Sequence, residues 1–388
     1  MNLPRRLLAF IAVAALAFAG GFGVATLLDR VSTPASASSQ VDAFRQVLAD
    51  LQRSYYKPVD AAKLGRSGIT ALLASLHDPY TVYFSPQQAK QFNQELSGSY
   101  TGVGVAVAPG SGGLTVTEVF SGSPAARARI VPGEVIVSVN GVATAGQSEG
   151  AVVARIAGPA GTTVRLQLRR PTTPSRRVDL TLTRRAISLP LTTSRLLNDH
   201  GTKMGYVSLS SFSQGAGARV RQAIAGLQKR GARWIVFDLR DNGGGLVSEA
   251  ASVAGDFLPA GKVVVTMQGL HSAREVVKTS GGPPTKLPVV VLVNGNTASA
   301  SEIVTGALQD YHRATVIGTR TFGKGVVQTV MPLSGGAELK ITIASYRTPL
   351  GRDINHKGLE PAIIVAPRAG ASGDPVLARA LGFIASGH

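Results

Sequence analysis

Two hydrophobic rhythms run through this chain, and the points where one replaces the other divide it. An unbroken apolar run from Leu7 to Leu28 comes first. Val41, Phe44, Val47, Leu48 and Leu51 then recur every three or four residues, the spacing of one helix face. A second helix is expected around Lys63 to Leu76, ended by His77-Asp78-Pro79, because proline cannot continue a helix and restricts the residue before it. From Gly98 to Arg185 the period drops to two: Val103, Val105 and Val107, then Leu114 to Val119, Val135 to Val139, Thr163 to Leu168 and Val178 to Thr183. Asn140-Gly141 is a hairpin signal within that stretch. Beyond Gly201 apolar strands and helical segments alternate, the rhythm of helices packed on a layered sheet. The predicted pairs are strand Tyr206–Ser210 with helix Ala218–Lys229, strand Trp234–Leu239 with helix Val247–Asp256, and strand Val289–Val293 with helix Ser299–Leu308, followed by strand Ala314–Ile317.

The fold class expected is therefore mixed α/β and β, in several domains. The divisions are a leader at 1–30, a linker at 31–40 (small and polar, VSTPASASSQ), an N-terminal helical segment at 41–97, a β-rich domain at 98–185 and an αβ unit at 186–388. The leader's 22 uncharged residues follow Arg5 and Arg6 and are long enough to cross a bilayer with an inside N-terminus. Ala35-Ser36-Ala37 has the small-x-small form of a signal-peptidase site. Cleaved signal and retained membrane anchor both remain open, and both place the rest of the chain outside the cytoplasm, in a periplasm or cell envelope.

Composition narrows the chemistry. There is no cysteine, which excludes disulfides, thiol catalysis and Cys-ligated metals. The six histidines form no ligand spacing, so no metal and no cofactor are expected. The net charge of +18 is spread over scattered Arg and Lys, with aromatics at only 5%, so nucleic acid is not an expected partner. An anionic membrane surface or acidic substrates suit that charge better.

Three familiar motifs fail on context. Gly146-Gln147-Ser148-Glu149-Gly150 fits G-x-S-x-G but lies in the β-rich domain, away from any strand-to-helix turn of a large sheet. Ser54-Tyr55-Tyr56-Lys57 fits S-x-x-K without the companion motifs. Gly318 to Lys324 follows a phosphate-binding loop until Gly325 replaces the hydroxyl that would ligate magnesium.

Three other segments carry reactive potential. The run Val289–Val293 enters a turn of small residues and then a helix, which places Ser299 at or near a helix N-terminus, where N–H groups and the dipole favour a developing oxyanion. A plain N-cap role for Ser299 or Ser301 is the competing reading. Thr321-Phe322-Gly323-Lys324-Gly325 sets one lysine between two glycines, where burial would lower its pKa and make it a base. A solvated turn lysine is the alternative there. Gln328, four residues on, could orient the amine or hold substrate. Asp238-Leu239-Arg240-Asp241-Asn242-Gly243-Gly244-Gly245 ends a strand in a glycine turn whose N–H groups could pair with that of Ala300 as an oxyanion hole.

Asp238-Leu239-Arg240-x-Asn242-x-Gly244-Gly245, Asn294-x-x-x-Ala298-Ser299-Ala300-Ser301-Glu302-Ile303 and Thr321-Phe322-Gly323-Lys324-Gly325 resemble, in order and spacing, the carboxyl-terminal processing peptidases, or tail-specific proteases. Leu76-His77-Asp78-Pro79-Tyr80-Thr81-x-Tyr83-Phe84 looks like that family's approach to its PDZ domain, and the match spans roughly residues 40 to 365. The resemblance implies a PDZ domain at 98–185, a crotonase-like αβ protease core at 186–388, and serine endopeptidase activity near protein C-termini. By position it makes Ser299 the nucleophile, Lys324 the general base and Gln328 the third member, with oxyanion donors from Ala300 and one of Gly244 or Gly245. Tyr100-Thr101-Gly102-Val103-Gly104-Val105 looks like the carboxylate-binding loop of the PDZ domain, so Gly102, Val103, Gly104 and Val105 are its candidate peptide-binding residues. Partners expected are proteins or peptides with free C-terminal tails, the membrane if the leader is retained, and a second copy of the chain through the 41–76 helices. The chief alternative is a non-catalytic PDZ scaffold on a peptidase fold. Gly243, where Pro or a small polar residue is common, and Thr297, where Ser is common, depart from the family pattern.

Overall fold

The computed structural model describes residues 35–171, 173–188, 190–199, 201–366 and 373–386. The leader expected at 1–30 lies outside them. The helix predicted from Val41 begins earlier, at Ala35, and runs to Ser54, so the expected linker is helical from its fifth residue. Alanines at 35 and 37 suit the helix by propensity. A helix Ala61–Ala74 follows, with the Asp60 side chain accepting from Lys63 N–H. None of the described helices is long and apolar enough to cross a membrane.

Two compact units emerge. One comprises Phe92–Thr193 with Ser213–Gly215 and the other the rest of the chain, so the β-rich unit is wider than the 98–185 expected. The extension has a pairing cause: Ser99–Gly102 forms a two-stranded antiparallel ribbon with Arg185–Ser188, which draws in the chain on either side. Its main sheet orders the strands 105–110, 113–119, 135–139, 163–170 and 173–183. Thr163–Arg170 alternates buried Val164, Leu166 and Leu168 with outward Arg165 and Gln167, the signature of a sheet with one face on a core. Ile136, Val139, Val152 and Ile156 complete that core, the last two from the helix Glu149–Ile156.

The larger unit is layered. Strands 202–209, 234–238, 289–293, 314–318 and 363–364 run parallel in one sheet. Val289–Val293 is buried at every position, as a parallel strand covered on both faces must be. One face packs Met204, Val236, Val290 and Leu292 against Val376, Ala380 and Ile384 of the C-terminal helix Pro375–Ala385. Helices Ala216–Lys229, Val247–Gly255 and Ala300–Asp310 pack in series beside the sheet. A second sheet, antiparallel in its recorded pairings, contains Val263–Gln268, Glu275–Lys278, Val326–Pro332 and Glu338–Arg347. Its edge is Val82–Phe84, paired with Lys340, Leu339 and Glu338. The segment expected to belong to an N-terminal helical region is thus, at 82–84, a strand of the larger unit.

Candidate active site

The strand Val289–Val293 delivers the chain to a turn held by Thr297. Its hydroxyl accepts from Asn294 N–H at 2.9 Å and donates to the Leu239 carbonyl at 2.9 Å. Ala298 N–H then bonds Asn242 O at 3.0 Å, and the Ser301 hydroxyl bonds the same oxygen at 2.9 Å. The turn before Ser299 is therefore stitched to the glycine turn that ends the neighbouring strand.

Ser299 itself sits at φ +57°, ψ −117°, outside the regions comfortable for a side chain. Such strain persists only where the surroundings over-determine it. The residue is fully buried, and its Oγ has no hydrogen-bond partner among the described residues. Ser299 does occupy the N-cap position of the helix Ala300–Asp310 with capping-box spacing to Glu302, but its hydroxyl makes no hydrogen bond to that helix. The capping is supplied from the other side: Glu302 Oε2 accepts from Ser299 N–H at 2.9 Å.

Glu302 is also what joins this turn to the lysine turn. Its Oε1 accepts from the Thr321 hydroxyl (2.6 Å) and Gly323 N–H (2.7 Å), and its Oε2 also accepts from Lys324 N–H (2.9 Å). Burial holds its carboxyl above the ordinary range, and these donors offset only part of that rise. The fully buried Tyr346 hydroxyl makes a second tie, donating to the carbonyl oxygens of Lys324 and, at 3.3 Å, Ser299. Gly323, at φ +88°, would drive a Cβ to 2.8 Å from Gly358 N, so the backbone closes around the lysine only with glycine there.

Lys324 is 2% exposed, not the solvated turn lysine of the alternative reading. Its amine lies 4.8 Å from the centroid of the Tyr80 ring. Its pKa is lowered to about 7, first by burial and then by the Lys340 cation, against Glu302 and Asp78, which raise it. Gln328 is 1% exposed on the strand Val326–Pro332; its amide nitrogen donates to Thr342 Oγ1 at 3.2 Å, and its Oε1 has no partner among the described residues.

The glycine turn distinguishes its two candidate donors. Gly244 N–H is already taken by Asn242 Oδ1 at 2.9 Å. At φ +102°, Gly244 lies so close to the Ser299 turn that a Cβ on it would stand 2.8 Å from Ala300 N and 2.9 Å from Ser299 Cβ. Asn242 is itself fully buried and donates to Leu209 O at 2.8 Å. A further concavity opens at the same strand ends, lined by Tyr206, Asp238, Arg240 and Asn294 among others. Its charges satisfy one another: Arg240 pairs with Asp238 (2.6 Å) and Asp374 (2.7 Å), and Tyr206 donates to Asp238.

In the smaller unit, Gly102 to Gly104 are buried and lead into Val105–Gly110, which lies at the edge of its sheet among the described strands. Val103 O accepts from Ala125 N–H, and Gly104 O from Phe120 N–H. Helix Glu149–Ile156 packs beside that strand. Ser148 of the G-x-S-x-G decoy is the N-cap of that helix, accepting from Ala151 N–H.

Several site residues escaped the sequence reading of roles: Glu302, Tyr346, Asp78, Tyr80 and Lys340. For Glu302 a signal existed, since Ser299-x-x-Glu302 has capping-box spacing. For Lys340 the signal was inverted. In Glu338–Arg347 the aliphatic positions Leu339, Ile341 and Ile343 are the more exposed, whereas Lys340, Ala344 and Tyr346 are buried.

Residues 203–365 match Peptidase family S41, and residues 115–170 match the PDZ domain. The chain is 33% identical over 341 residues to the carboxy-terminal processing protease CtpA of Bacillus subtilis (strain 168), covering 88% of this chain and 72% of that one. A CtpA-like protein of Staphylococcus aureus (strain COL) is 34% identical over 330 residues, and there the chain spans 65% of the relative's length. Among solved structures, the photosystem II D1 C-terminal processing protease aligns with a TM-score of 0.50 at 33% identity, covering 87% of this chain and 90% of that one.

Proposed function

Because the chain belongs to the carboxyl-terminal processing serine proteases of peptidase family S41 and carries a PDZ domain, we propose that it cleaves exported proteins with exposed C-terminal tails by a Ser299/Lys324 acyl-enzyme mechanism. The observation that carries this reading is a strained, buried serine with an unspent hydroxyl, joined through one carboxylate to a buried lysine whose pKa lies near neutrality.

The neutral Lys324 amine takes the proton as Ser299 Oγ attacks the scissile carbonyl carbon. The resulting ammonium then protonates the departing amine as the C–N bond breaks, leaving an ester on Ser299. Water attacks that ester as Lys324 takes its proton, and the ammonium then returns the proton to Ser299 Oγ as the C–O bond breaks, releasing the acid and restoring both residues. Ala300 N–H, first of the helix, and Gly245 N–H would hold the oxyanion, Gly244 N–H being committed to Asn242. Gln328, with one amide end fixed on Thr342, would present its Oε1 to the amine or the substrate. A tail would add as a strand to the edge of Val105–Gly110, with its carboxylate on the N–H groups of the Gly102–Val105 loop. The apolar leader supports action outside the cytoplasm, at the membrane if the leader is retained.

The full chain and its Ser299→Ala and Lys324→Ala variants should be compared on an unfolded protein ending in an apolar tail. Cleavage by the parent alone is the expected outcome. Comparable cleavage by either variant would remove that residue from the mechanism.

A further inference from the structure

The strand Glu338–Arg347 turns a polar set of side chains inward, and two of them already touch the site. Thr342 Oγ1 accepts from Gln328, and the Tyr346 hydroxyl donates to Lys324 O. Lys340 lies on the same face, two residues before Thr342, and is 2% exposed. A second lysine is thus buried on the side of the strand that faces the base.

The cover over both lysines is the segment 78–84. Val82 stands opposite Lys340 in the antiparallel ladder. The Lys340 amine lies 5.6 Å from the Phe84 ring centroid, and the Lys324 amine 4.8 Å from that of Tyr80. Asp78 brings the compensating charge. Its carboxylate accepts from the Thr81 hydroxyl at 2.6 Å and from Tyr80 N–H at 2.9 Å, and Thr81 Oγ1 accepts in turn from Thr342 N–H at 3.0 Å. One hydrogen-bonded run therefore fixes Asp78 to the strand that carries Lys340.

Resting on the Ser/Lys reading above, we propose that Lys340, backed by Asp78 and the 78–84 segment, is a positioning residue that keeps the Lys324 amine neutral and able to accept a proton. Two ammonium groups in one desolvated space repel, and the pair lowers its energy by releasing a proton from one. The groups facing the pair decide which. Glu302 comes from the helix Ala300–Asp310, Asp78 and Tyr80 from the segment, and Tyr346 from the strand. Burial brings Lys340 down to about 8, with Asp78 opposing, and Lys324 down to about 7. The Ser/Lys reading requires Lys324 to give up its proton first, with Lys340 remaining the cation beside Asp78.

The test is the pH dependence of Ser299 acylation by a fluorophosphonate probe in the full chain. In the parent the rate should rise with pH through about 7. Lys340→Met should move that rise toward alkaline pH by about one unit, the size of a nearby-charge effect. Lys340→Arg, which keeps the cation, should leave it in place. A Lys340→Met rate that falls equally at every pH, with the rise unmoved, would make the residue merely structural and overturn the proposal. Should Lys340→Met not fold, Lys340→Gln decides by the same pH profile, whose rise must also move toward alkaline pH. A rise left unmoved in a folded, uncharged variant overturns the proposal. Acylation persisting in Lys324→Met would instead refute the Ser/Lys reading, a distinct outcome.

Discussion

Four donors converge on the Glu302 carboxylate: the N–H groups of Ser299, Gly323 and Lys324 and the hydroxyl of Thr321. One side chain thereby sets the separation between the Ser299 turn and the Lys324 turn, although neither turn is near the other in sequence. Only an acceptor at both oxygens can satisfy that ring. Glu302→Gln would place an NH2 group against donors, leaving buried N–H groups unpaired at a cost of about 1–3 kcal/mol each. The expected outcome is a lower midpoint in urea and a fall in the acylation rate of at least about tenfold, both measured on the purified variant. The Ser-x-x-Glu spacing made the local half of this arrangement legible; the half that reaches Thr321, Gly323 and Lys324 depends on which loop the fold brings alongside.

At the scale of elements, what could be read depended on how completely each was buried. Val289–Val293 is apolar at every position and was predicted to the residue, because a doubly covered parallel strand needs no face. Glu338–Arg347 was not predicted: its alternation is clear, but the buried face is the polar one, and period alone cannot say which face turns inward. Val82–Phe84 is too short to declare itself, and only its pairing with 338–340 makes it a strand. In the smaller unit, Gly104 (φ +84°) sits where a Cβ would collide with Ser123 Cβ. Gly104→Val should weaken binding of a tail peptide by roughly tenfold or more, the equivalent of a charged hydrogen bond lost. Ser299 should still label with the fluorophosphonate probe, since Ser299 and Lys324 lie in the other unit. Fluorescence anisotropy of a labelled peptide and gel labelling read the two separately.

For the molecule as a whole, a PDZ domain stands in the same chain as a protease core, and on the proposed reading substrate choice would follow a chain end rather than a cleavage sequence. Amidating the C-terminus of an otherwise identical unfolded substrate removes the charge that a carboxylate-binding loop would hold. Degradation of the amidated form at low concentration should slow by roughly tenfold, with the difference closing as substrate saturates, because the loss is one of binding. Equal rates at every concentration would mean that tails are not what the enzyme reads.

The class of fold was legible in the residues, and Ser299, Lys324 and Gln328 were nominated there as candidates. The signals were local: period-two and period-three runs, glycine turns, and three motifs in a fixed order. Which face of Glu338–Arg347 is buried, the return of residues 78–84 to the larger unit, and the meeting of Glu302, Tyr346, Asp78 and Lys340 around Lys324 were decided by the tertiary structure alone. The physical reason is range. Propensity and periodicity act over a few residues, whereas the proton affinity of Lys324 is set by burial and by charges that arrive from positions 78, 302 and 340.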